Sequence, residues 1–352
     1  MLDKKYIINQ SASGRDALKR LNDIASIDTL QAVLFVVNDK EELQGSLSDG
    51  DIRRGLINGL SIDSGIMDFM FATCRYLTTE NYTSENINAL KEKRIRFVPF
   101  VDNDKRITRI VDLEKLKAYL PLDVVIMAGG KGERLMPLTQ NCPKPLLKVG
   151  GKPIIEHNID RLAEFGIVNF NITLKYLGQQ VVDYFGNGEN KGIYIQYLFE
   201  ESALGTIGAV SKINNWKHDY VLIMNSDLLT NLDLKDFFEY FLSNNADMAV
   251  ASVPYYINVP YAVFELSDGK QIASLTEKPS YTYYSNAGIY LVKKEMLKAI
   301  PMDKKFDATD FMDALIKQKR KLVSYPITSY WLDIGRMEDY TKAQEDIKHI
   351  KL

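Results

Sequence analysis

A glycine-rich turn containing a lysine follows an apolar segment in the middle of the chain. Segment 129–132 reads Gly-Gly-Lys-Gly and comes directly after residues 124–128, which are apolar and typical of a buried strand. Three glycines let the backbone turn sharply and bring its amides close to a phosphate group, although such a turn alone is also ordinary loop chemistry. A dinucleotide-binding GxGxxG loop would need glycine at Leu135, and a Walker A loop would need Ser or Thr after Lys131. The spacing excludes both loops, and the turn suits a nucleoside triphosphate.

Two aspartates are candidate metal ligands. Asp227 ends the apolar segment 220–227, and Asp333 lies within the short sequence Trp-Leu-Asp-Ile-Gly at 331–335. Taken singly, Asp227 is equally suited to cap the next element, and Asp333 to lie in a tight turn. Three histidines and two distant cysteines provide no pattern for a zinc site or a disulfide framework. Carboxylates, lysines and backbone amides are therefore the expected chemical groups.

These features belong to a longer pattern that resembles one enzyme family. The run GGKGERLMPLT at 129–139 with PKPLL at 143–147 closely resembles the N-terminal signature of the sugar-1-phosphate nucleotidylyltransferases. That family also carries a strand-end aspartate and a WxDxG motif, which match Asp227 and Asp333. Three further segments resemble its sugar-binding segments: LGTIGA at 204–209, EKP at 277–279 and NAGIY at 286–290. The resemblance covers roughly 124–339 and carries a prediction for each matched residue.

The resemblance implies a catalytic set in which Asp227 and Asp333 bind Mg²⁺ while Arg134 and Lys144 neutralise the triphosphate. Mg²⁺ usually takes only one or two protein carboxylates, so two aspartates suffice. Arginine offers a planar fork of donors, and lysine a point charge. The residues implied for the nucleotide are Ala128, Gly129, Gly130, Gly132, Arg134, Lys144 and Gly205. Those implied for the sugar phosphate are Glu277, Lys278, Asn286 and Gly288.

The implied reaction is a direct displacement. An oxygen of the sugar 1-phosphate attacks the α-phosphorus of the nucleoside triphosphate and expels pyrophosphate, without a covalent enzyme intermediate. No role is predicted for Glu133, and Glu200 and Glu201 stay open as contacts to base or sugar. A nucleotide-sensing protein without catalytic activity is the alternative from another class. The complete catalytic set favours the enzyme.

The fold must bring these distant segments to one edge of a sheet. From residue 124 onward, near-continuous apolar strands alternate with helices, including helices expected near Gly178 and from Ile207. This alternation predicts a doubly wound α/β domain, over 123–352, with a mostly parallel sheet covered on both faces. Ligands bind such sheets at the carboxyl ends of the strands, where the glycine loop and Asp227 are expected.

The first 118 residues contain an internal repeat. Each copy reads helix, strand, turn, strand and helix, with the first helices expected at 13–21 and 84–91 after a serine cap, and VxNDK turns at 36–40 and 101–105. The repeat resembles a pair of cystathionine-β-synthase (CBS) domains, a smaller α/β module with a regulatory role. The two domains would span about 1–70 and 71–118.

The first copy resembles a CBS nucleotide site in the sequence SDGDIRR at 48–54, where Ser48 and Asp51 would contact the phosphate and ribose of an adenine nucleotide. The same two residues are equally suited to cap a helix. The second copy departs from the pattern, because Arg109 stands three residues before Asp112, where Ser or Thr belongs. CBS-fused transferases resemble mannose-1-phosphate and glucosamine-1-phosphate guanylyltransferases, so GTP is the first candidate substrate, with dTTP and CTP left open.

Length and composition agree with two domains. The chain has 352 residues, 46% hydrophobic and 26% charged, as expected of a globular protein. A formal net charge of −2 offers no general electrostatic basis for binding nucleic acid. The N-terminus lacks the apolar stretch of a signal peptide, and no run of about 18 apolar residues could span a membrane. We expect a cytoplasmic homo-oligomer without nucleic-acid or membrane partners.

Overall fold

The chain folds into two units, each described by itself. The computed structural model describes residues 4–27, 32–78 and 80–350, so the predicted ranges 1–118 and 123–352 extend in part outside the described residues. The first unit contains Met1–Pro121, Leu162–Val168 and Phe185–Ile195. The second unit contains Leu122–Arg161, Asn169–Tyr184 and Gln196–Leu352.

The first unit starts with five elements in the order β-α-β-β-α. They are β1 (Ile7–Asn9), α1 (Gly14–Ile27), β2 (Val33–Val37), β3 (Leu43–Ser48) and α2 (Asp49–Ile57). β1 pairs in parallel with β2, and β2 pairs antiparallel with β3. Leu34, Leu47 and Ile52 lie in the buried core of this part. The expected serine cap is confirmed at α1, where the Asp16 amide donates to Ser13 Oγ (3.2 Å).

The same order recurs without a final helix. It comprises α3 (Ser84–Glu92), β4 (Phe97–Val101) and β5 (Ile107–Asp112), with β4 and β5 antiparallel. Leu77 forms a parallel bridge with Phe100, as β1 does with β2. The cap of α3 is Thr83, one residue before the predicted Ser84, and its side chain accepts from the Asn86 amide. The final helix expected in this copy is wrong, because residues 113–118 form a turn and an irregular stretch, and the Lys117 amide donates to the Glu164 carbonyl oxygen (2.7 Å) instead of continuing a helix.

Several of the remaining strands form a large central sheet. The remaining strands are β6 (Leu122–Ala128), β7 (Lys148–Val149), β8 (Lys152–Pro153), β9 (Asn169–Leu174), β10 (Tyr194–Phe199), β11 (Tyr220–Asn225), β12 (Leu228–Thr230), β13 (Met248–Asn258), β14 (Val263–Ser267), β15 (Gln271–Thr276), β16 (Ser280–Lys293), β17 (Leu322–Pro326) and β18 (Trp331–Asp333). Seven of them form a sheet in the order β10-β9-β6-β11-β16-β13-β17. β6 is parallel to β9 and β11, whereas β16 is antiparallel to its neighbours β11 and β13. The expected mostly parallel α/β sheet is confirmed, with β16 as an antiparallel insertion.

Five further helices follow in chain order. They are α4 (Ile154–Ala163), α5 (Gly178–Phe185), α6 (Leu234–Ser243), α7 (Ala308–Lys317) and α8 (Met337–Asp346). The helix expected near Gly178 is confirmed as α5. The α-helix expected from Ile207 is wrong, because Gly208–Lys212 forms a short 3₁₀ helix. The amides of Val210 and Ile213 donate to the carbonyl oxygens three residues earlier, those of Ile207 and Val210 (3.0 and 3.1 Å), so the segment closes tighter turns than an α-helix.

The central strands of the sheet are buried along their length. Val124, Val125 and Ile126 on β6, with Val221 and Leu222 on β11, are fully buried. A sheet with both faces covered requires such continuous apolar strands. Within the described part of the chain, no helix is long and apolar enough to cross a membrane.

Candidate active site

The loop after β6 forms one wall of a cavity of about 680 Å³. Gly132 has φ +66°, and a Cβ there would lie 2.9 Å from Thr139 Cγ2 and 3.1 Å from Lys144 Cβ. Thr139 Oγ1 also donates to the Gly132 carbonyl oxygen (2.9 Å). Position 132 therefore needs glycine both for its left-handed backbone and for its close packing. A Cβ at Gly130 would meet nothing within 4 Å among the described residues, so the loop leaves space open beside its backbone.

Most of the residues predicted for the triphosphate come together at this cavity. Those that line it are Gly129, Gly130, Gly132, Arg134, Lys144, Gly205 and Asp227. Ala128 is buried at the end of β6, directly before the loop. Glu133, for which no role was predicted, also lines the cavity and pairs with Lys131 (3.2 Å) on the exposed side of the loop. The arrangement offers cations and backbone amides to an anionic ligand.

Lys144 is a buried lysine with a partly buried partner. Only 9% of the residue is exposed, and its Nζ forms an ion pair with Asp227 Oδ2. A buried ammonium group is costly unless it is paired, so this contact explains how the fold accommodates it. Lys144 lies between Pro143 and Pro145 in a short 3₁₀ turn, Lys144–Leu146, which fixes the position of its backbone.

A two-stranded sheet brings the distant aspartates together. β12, directly after Asp227, pairs antiparallel with β18, and Leu228 lies opposite Asp333. The Ile334 amide donates to the Asp227 carbonyl oxygen (3.0 Å), which extends the pairing by one residue. Backbone hydrogen bonds thus position both carboxylates, independently of any ligand.

The carboxylates at this sheet are incompletely satisfied. Asp227 Oδ1 and Asp333 Oδ1 are buried without a hydrogen-bond partner among the described residues. Burial, followed by the Asp227 charge, raises the pKa of Asp333 above its usual range. Orphaned carboxylate oxygens on two adjacent aspartates, one of which lines the cavity, fit Mg²⁺, which takes one or two protein carboxylates and completes its shell with phosphate and water. No cluster of three or more His, Cys, Asp or Glu ligands occurs in the described ranges.

A second loop is held at the cavity by the segment before α7. Gly205 has φ +77°, and a Cβ there would lie 2.6 Å from the Phe306 carbonyl oxygen. The Thr206 amide donates to Asp307 Oδ1 (2.8 Å), and the Ala308 amide donates back to Thr206 Oγ1 (2.8 Å). These reciprocal bonds fix the LGT loop, residues 204–206, against one end of α7.

The comparison with protein families identifies this part of the chain. The profile described as Nucleotidyl transferase matches residues 123–350, which include the glycine loop, the Lys144–Asp227 pair and Asp333. The chain belongs to the nucleotidyl transferase family. Residues 1–122 lie outside the matched range.

Curated relatives match the same part of the chain. The mannose-1-phosphate guanylyltransferase of Mycobacterium tuberculosis is 29% identical over 231 residues, with 64% of each chain covered. The bifunctional protein GlmU of Methanocaldococcus jannaschii is 33% identical, and the match covers 64% of this chain and 54% of that protein. The D-glycero-α-D-manno-heptose 1-phosphate guanylyltransferase of Aneurinibacillus thermoaerophilus is 31% identical, and the match covers 99% of that protein. The chain thus spans less than two thirds of the length of the first two relatives.

Solved structures agree on the fold of the nucleotidyl transferase part. HddC from Yersinia pseudotuberculosis aligns with a TM-score of 0.51 and 28% identity, covering 64% of this chain and 99% of HddC. A second crystal structure of HddC, complexed with GMP-PN, aligns with a TM-score of 0.51 and 27% identity over the same shares. A structure from Bacillus anthracis at 23% identity, with a TM-score of 0.53, supports the fold alone.

The sequence motifs did not identify several of the residues that line the cavity. Lys175, just after β9, and Lys305, before α7, add two cations to the lining. Glu200 also lines the cavity, and its carboxylate accepts from the Leu204 amide (3.2 Å). Burial raises the pKa of Glu200 above its usual range. Glu201 is not among the lining residues. Single lysines without a spacing pattern give no signal that sequence reasoning could have used.

The residues predicted for the sugar phosphate fall into two groups. On β16, the Gly288 amide donates to Asn286 Oδ1 (2.9 Å), and a Cβ on Gly288 would lie 2.5 Å from Nδ2 of Asn225, which lines the cavity. Glu277 and Lys278 follow β15 and are exposed. None of the four predicted residues lines the cavity itself. The structure therefore brings Gly288, which is hydrogen-bonded to Asn286, next to a cavity residue, whereas Glu277 and Lys278 are exposed.

The residues predicted for the CBS-like site serve as a helix cap in the first unit. Ser48 N and Oγ both donate to Asp51 Oδ2 (2.8 and 2.6 Å), and Asp51 also pairs with Arg54. In the second copy, the buried Arg109 guanidinium lies over the rings of Tyr82 and Phe100. Capping therefore occupies the polar groups of the first copy, and the second copy presents an arginine among aromatic rings instead.

Proposed function

We propose that this chain transfers a nucleoside monophosphate from a nucleoside triphosphate to a sugar 1-phosphate, forming a nucleotide-sugar and pyrophosphate. The observation that carries the proposal is the juxtaposition of the glycine loop and the Lys144–Asp227 pair at one cavity, with Asp333 on the strand that pairs directly after Asp227. Relatives named as sugar-phosphate guanylyltransferases and a uridylyltransferase support the substrate class.

The proposed mechanism relies on binding and charge neutralisation. The loop amides and Arg134 hold the triphosphate, and Lys144 faces the charge that moves to the leaving pyrophosphate. Mg²⁺ held by Asp227 and Asp333 would supply further positive charge to the phosphate oxygens. The bond between the sugar-phosphate oxygen and the α-phosphorus forms as the bond to pyrophosphate breaks. Because the attacking oxygen is already ionised, the chain needs no general base.

The substitution Asp227→Asn tests the assignment. We expect a loss of turnover of at least about 100-fold in a pyrophosphate-release assay, because the carboxylate that would bind Mg²⁺ is gone. Circular dichroism should show a folded protein. Asp219→Asn is the control, since Asp219 pairs with Lys294 on the surface and does not line the cavity. Retained activity of Asp227→Asn at saturating Mg²⁺ would contradict the metal assignment.

We further infer that GTP is the nucleotide, with dTTP and CTP as alternatives. Two relatives carry guanylyltransferase names, and a solved relative was crystallised with GMP-PN. Thermal unfolding with each triphosphate and Mg²⁺ ranks the candidates, because a ligand at 100 times its Kd stabilises a protein by about 2.7 kcal/mol. The pyrophosphate assay with a panel of sugar phosphates then separates an enzyme from a catalytically inactive nucleotide-binding protein.

We propose that residues 1–118 form a regulatory pair of CBS-like domains that bind an adenine nucleotide. Supporting the pair is the repeated order of strand, helix and two strands in the first unit. A nucleotide at Ser48 and Asp51 would have to displace capping bonds. AMP and ATP should raise the unfolding temperature, and Asp51→Ala should remove that shift. Asp16→Ala is the matched control, since Asp16 makes the same reciprocal bonds with Ser13 at α1. A shift that survives Asp51→Ala would contradict the site.

A cytoplasmic location is also part of this proposal. Cys74 and Cys142 are both free, as expected in a reducing compartment. We also propose self-association.

A further inference from the structure

In the described part of the chain, the carboxylate of Asp227 is held through one of its two oxygens. Lys144 Nζ pairs with Asp227 Oδ2. Asp227 Oδ1 is buried and has no hydrogen-bond partner among the same residues. Oδ1 of Asp333, on the strand that pairs directly after Asp227, is unsatisfied in the same way. The ion pair thus leaves one oxygen of each aspartate available to a ligand.

Backbone contacts fix where Asp227 lies but not how its carboxylate is turned. The Ser226 amide donates to the Met127 carbonyl oxygen (3.1 Å), and the Ile334 amide donates to that of Asp227 (3.0 Å). Both bonds join main-chain atoms, so the side chain of Asp227 can still change its rotamer. An ion pair to a fixed cation removes that freedom.

The side chain of Lys144 is well placed to be this fixed cation. Pro143 and Pro145 restrict the backbone on both sides of it. Its Cβ lies close to Gly132, only 3.1 Å from the position that a Cβ on that glycine would take. The side chain is 11% exposed. A packed stem limits the directions in which the ammonium group can point, so Lys144 can hold the Asp227 carboxylate in one orientation.

We propose that Lys144 is a positioning residue for metal binding, which holds Asp227 Oδ2 so that Oδ1 stays available to the cation beside Asp333. This inference rests on the metal site of the proposed function and adds a step to it. Neutralising the triphosphate, the role predicted from the sequence, requires a bound nucleotide, whereas the positioning role acts without one. Partners that hydrogen-bond to a metal-binding carboxylate typically contribute 10- to 100-fold in metal affinity.

Charge alone predicts the opposite effect, which makes the two explanations separable. A lysine repels a divalent cation, so removing a lysine from the cavity should tighten cation binding if charge is all that matters. Lys175 lines the same cavity, but among the described residues the Asp227 carboxylate pairs with Lys144 and not with Lys175. Removing Lys175 therefore measures the effect of charge without the effect of positioning.

Titration of the full chain with Mn²⁺ in the absence of nucleotide, followed by electron paramagnetic resonance, tests the proposal. We expect Lys144→Met to raise the Kd for Mn²⁺ about 10- to 100-fold. The matched control, Lys175→Met, removes the same charge and should leave the Kd unchanged or lower it. Circular dichroism checks that both variants are folded. A Kd for Lys144→Met at or below the wild-type value, or equal losses in the two variants, would overturn the positioning role.

Asp227→Asn separates this inference from the proposed function. It removes the ligand itself and should weaken Mn²⁺ binding at least as much as Lys144→Met does. Mn²⁺ binding that Asp227→Asn leaves unchanged would overturn the metal site, and the positioning role with it. Mn²⁺ binding that requires Asp227 but not Lys144 would overturn the positioning role alone and leave the proposed function intact.

Acylation of lysines in the wild type covers the case in which Lys144→Met loses its fold. If Lys144 keeps Asp227 Oδ2 when the metal binds, its amine should react with an acylating reagent as slowly at saturating Mg²⁺ as without Mg²⁺. Mass spectrometry measures the rate, with the exposed Lys317 as the internal reference. Faster acylation of Lys144 on addition of Mg²⁺ would mean that the cation displaces the lysine, and would overturn the proposal.

Discussion

At the scale of single residues, the site holds charges that the protein alone leaves unbalanced. Lys144 has a partner in Asp227, but Asp333 adds a second carboxylate whose pKa is raised by burial and then by Asp227. One oxygen of each aspartate lacks a hydrogen-bond partner within the described ranges. Such an arrangement costs stability without a ligand and becomes favourable when a cation binds, as expected of a functional site.

The two aspartates should therefore respond oppositely to replacement by asparagine. Asp333→Asn removes an unfavourable charge and should raise the free energy of unfolding in metal-free buffer by on the order of 1 kcal/mol. Asp227→Asn leaves the buried Lys144 ammonium without its partner and should lower it by about 1–3 kcal/mol. Denaturant unfolding with EDTA present measures both changes.

The difference in the free energy of unfolding between Asp333→Asn and the wild type should also depend on pH. A carboxyl with a raised pKa holds more protons in the folded state, so its presence makes stability fall as pH rises above the usual range near 3.8. The stability gained by Asp333→Asn relative to the wild type should be greatest at neutral pH and should vanish as pH falls below that range. An advantage that grows on acidification would contradict the raised pKa.

At the scale of elements, the sequence predicted the features that lie in contiguous motifs. It did not predict those that depend on contacts between distant segments. The glycine loop and the two aspartates were found because each lies in a contiguous signature beside an apolar strand. Lys305 reaches the cavity only through the segment before α7, so no local pattern reveals it. The α-helix expected from Ile207 was wrong because the segment closes i→i−3 hydrogen bonds and forms a short 3₁₀ helix.

The bonds between the LGT loop and α7 give a prediction at this scale. Asp307→Ala removes the acceptor of the Thr206 amide, so the loop should order less well around the nucleotide. We expect the KM for the triphosphate to rise about 2- to 10-fold, the effect of one hydrogen bond, with a smaller change in kcat. Asp307→Asn keeps an acceptor oxygen and should restore most of the affinity. Asp313→Ala, on the same helix and paired with Lys317, is the control. Equal losses in Asp307→Ala and Asp313→Ala would contradict a positioning role.

At the scale of the whole molecule, the positive charge available for phosphate is concentrated in one of the two units. A net charge of −2 gives no general attraction for phosphates, yet the cavity gathers Lys131, Arg134, Lys144, Lys175 and Lys305. All of these cations belong to the second unit. The first unit has separate apolar cores and its own candidate nucleotide position at Ser48 and Asp51. The two candidate sites should thus bind their ligands through different local groups.

Hydrogen exchange with two ligands tests this separation on the intact chain. GTP with Mg²⁺ should slow amide exchange at the glycine loop and at residues 204–208, because bound phosphates order both loops. It should leave residues 48–54 unchanged, since the capping bonds there do not involve the cavity. AMP should slow exchange at 48–54 and spare the glycine loop. GTP protection confined to 48–54, or AMP protection confined to the glycine loop, would reverse the assignment of the two sites.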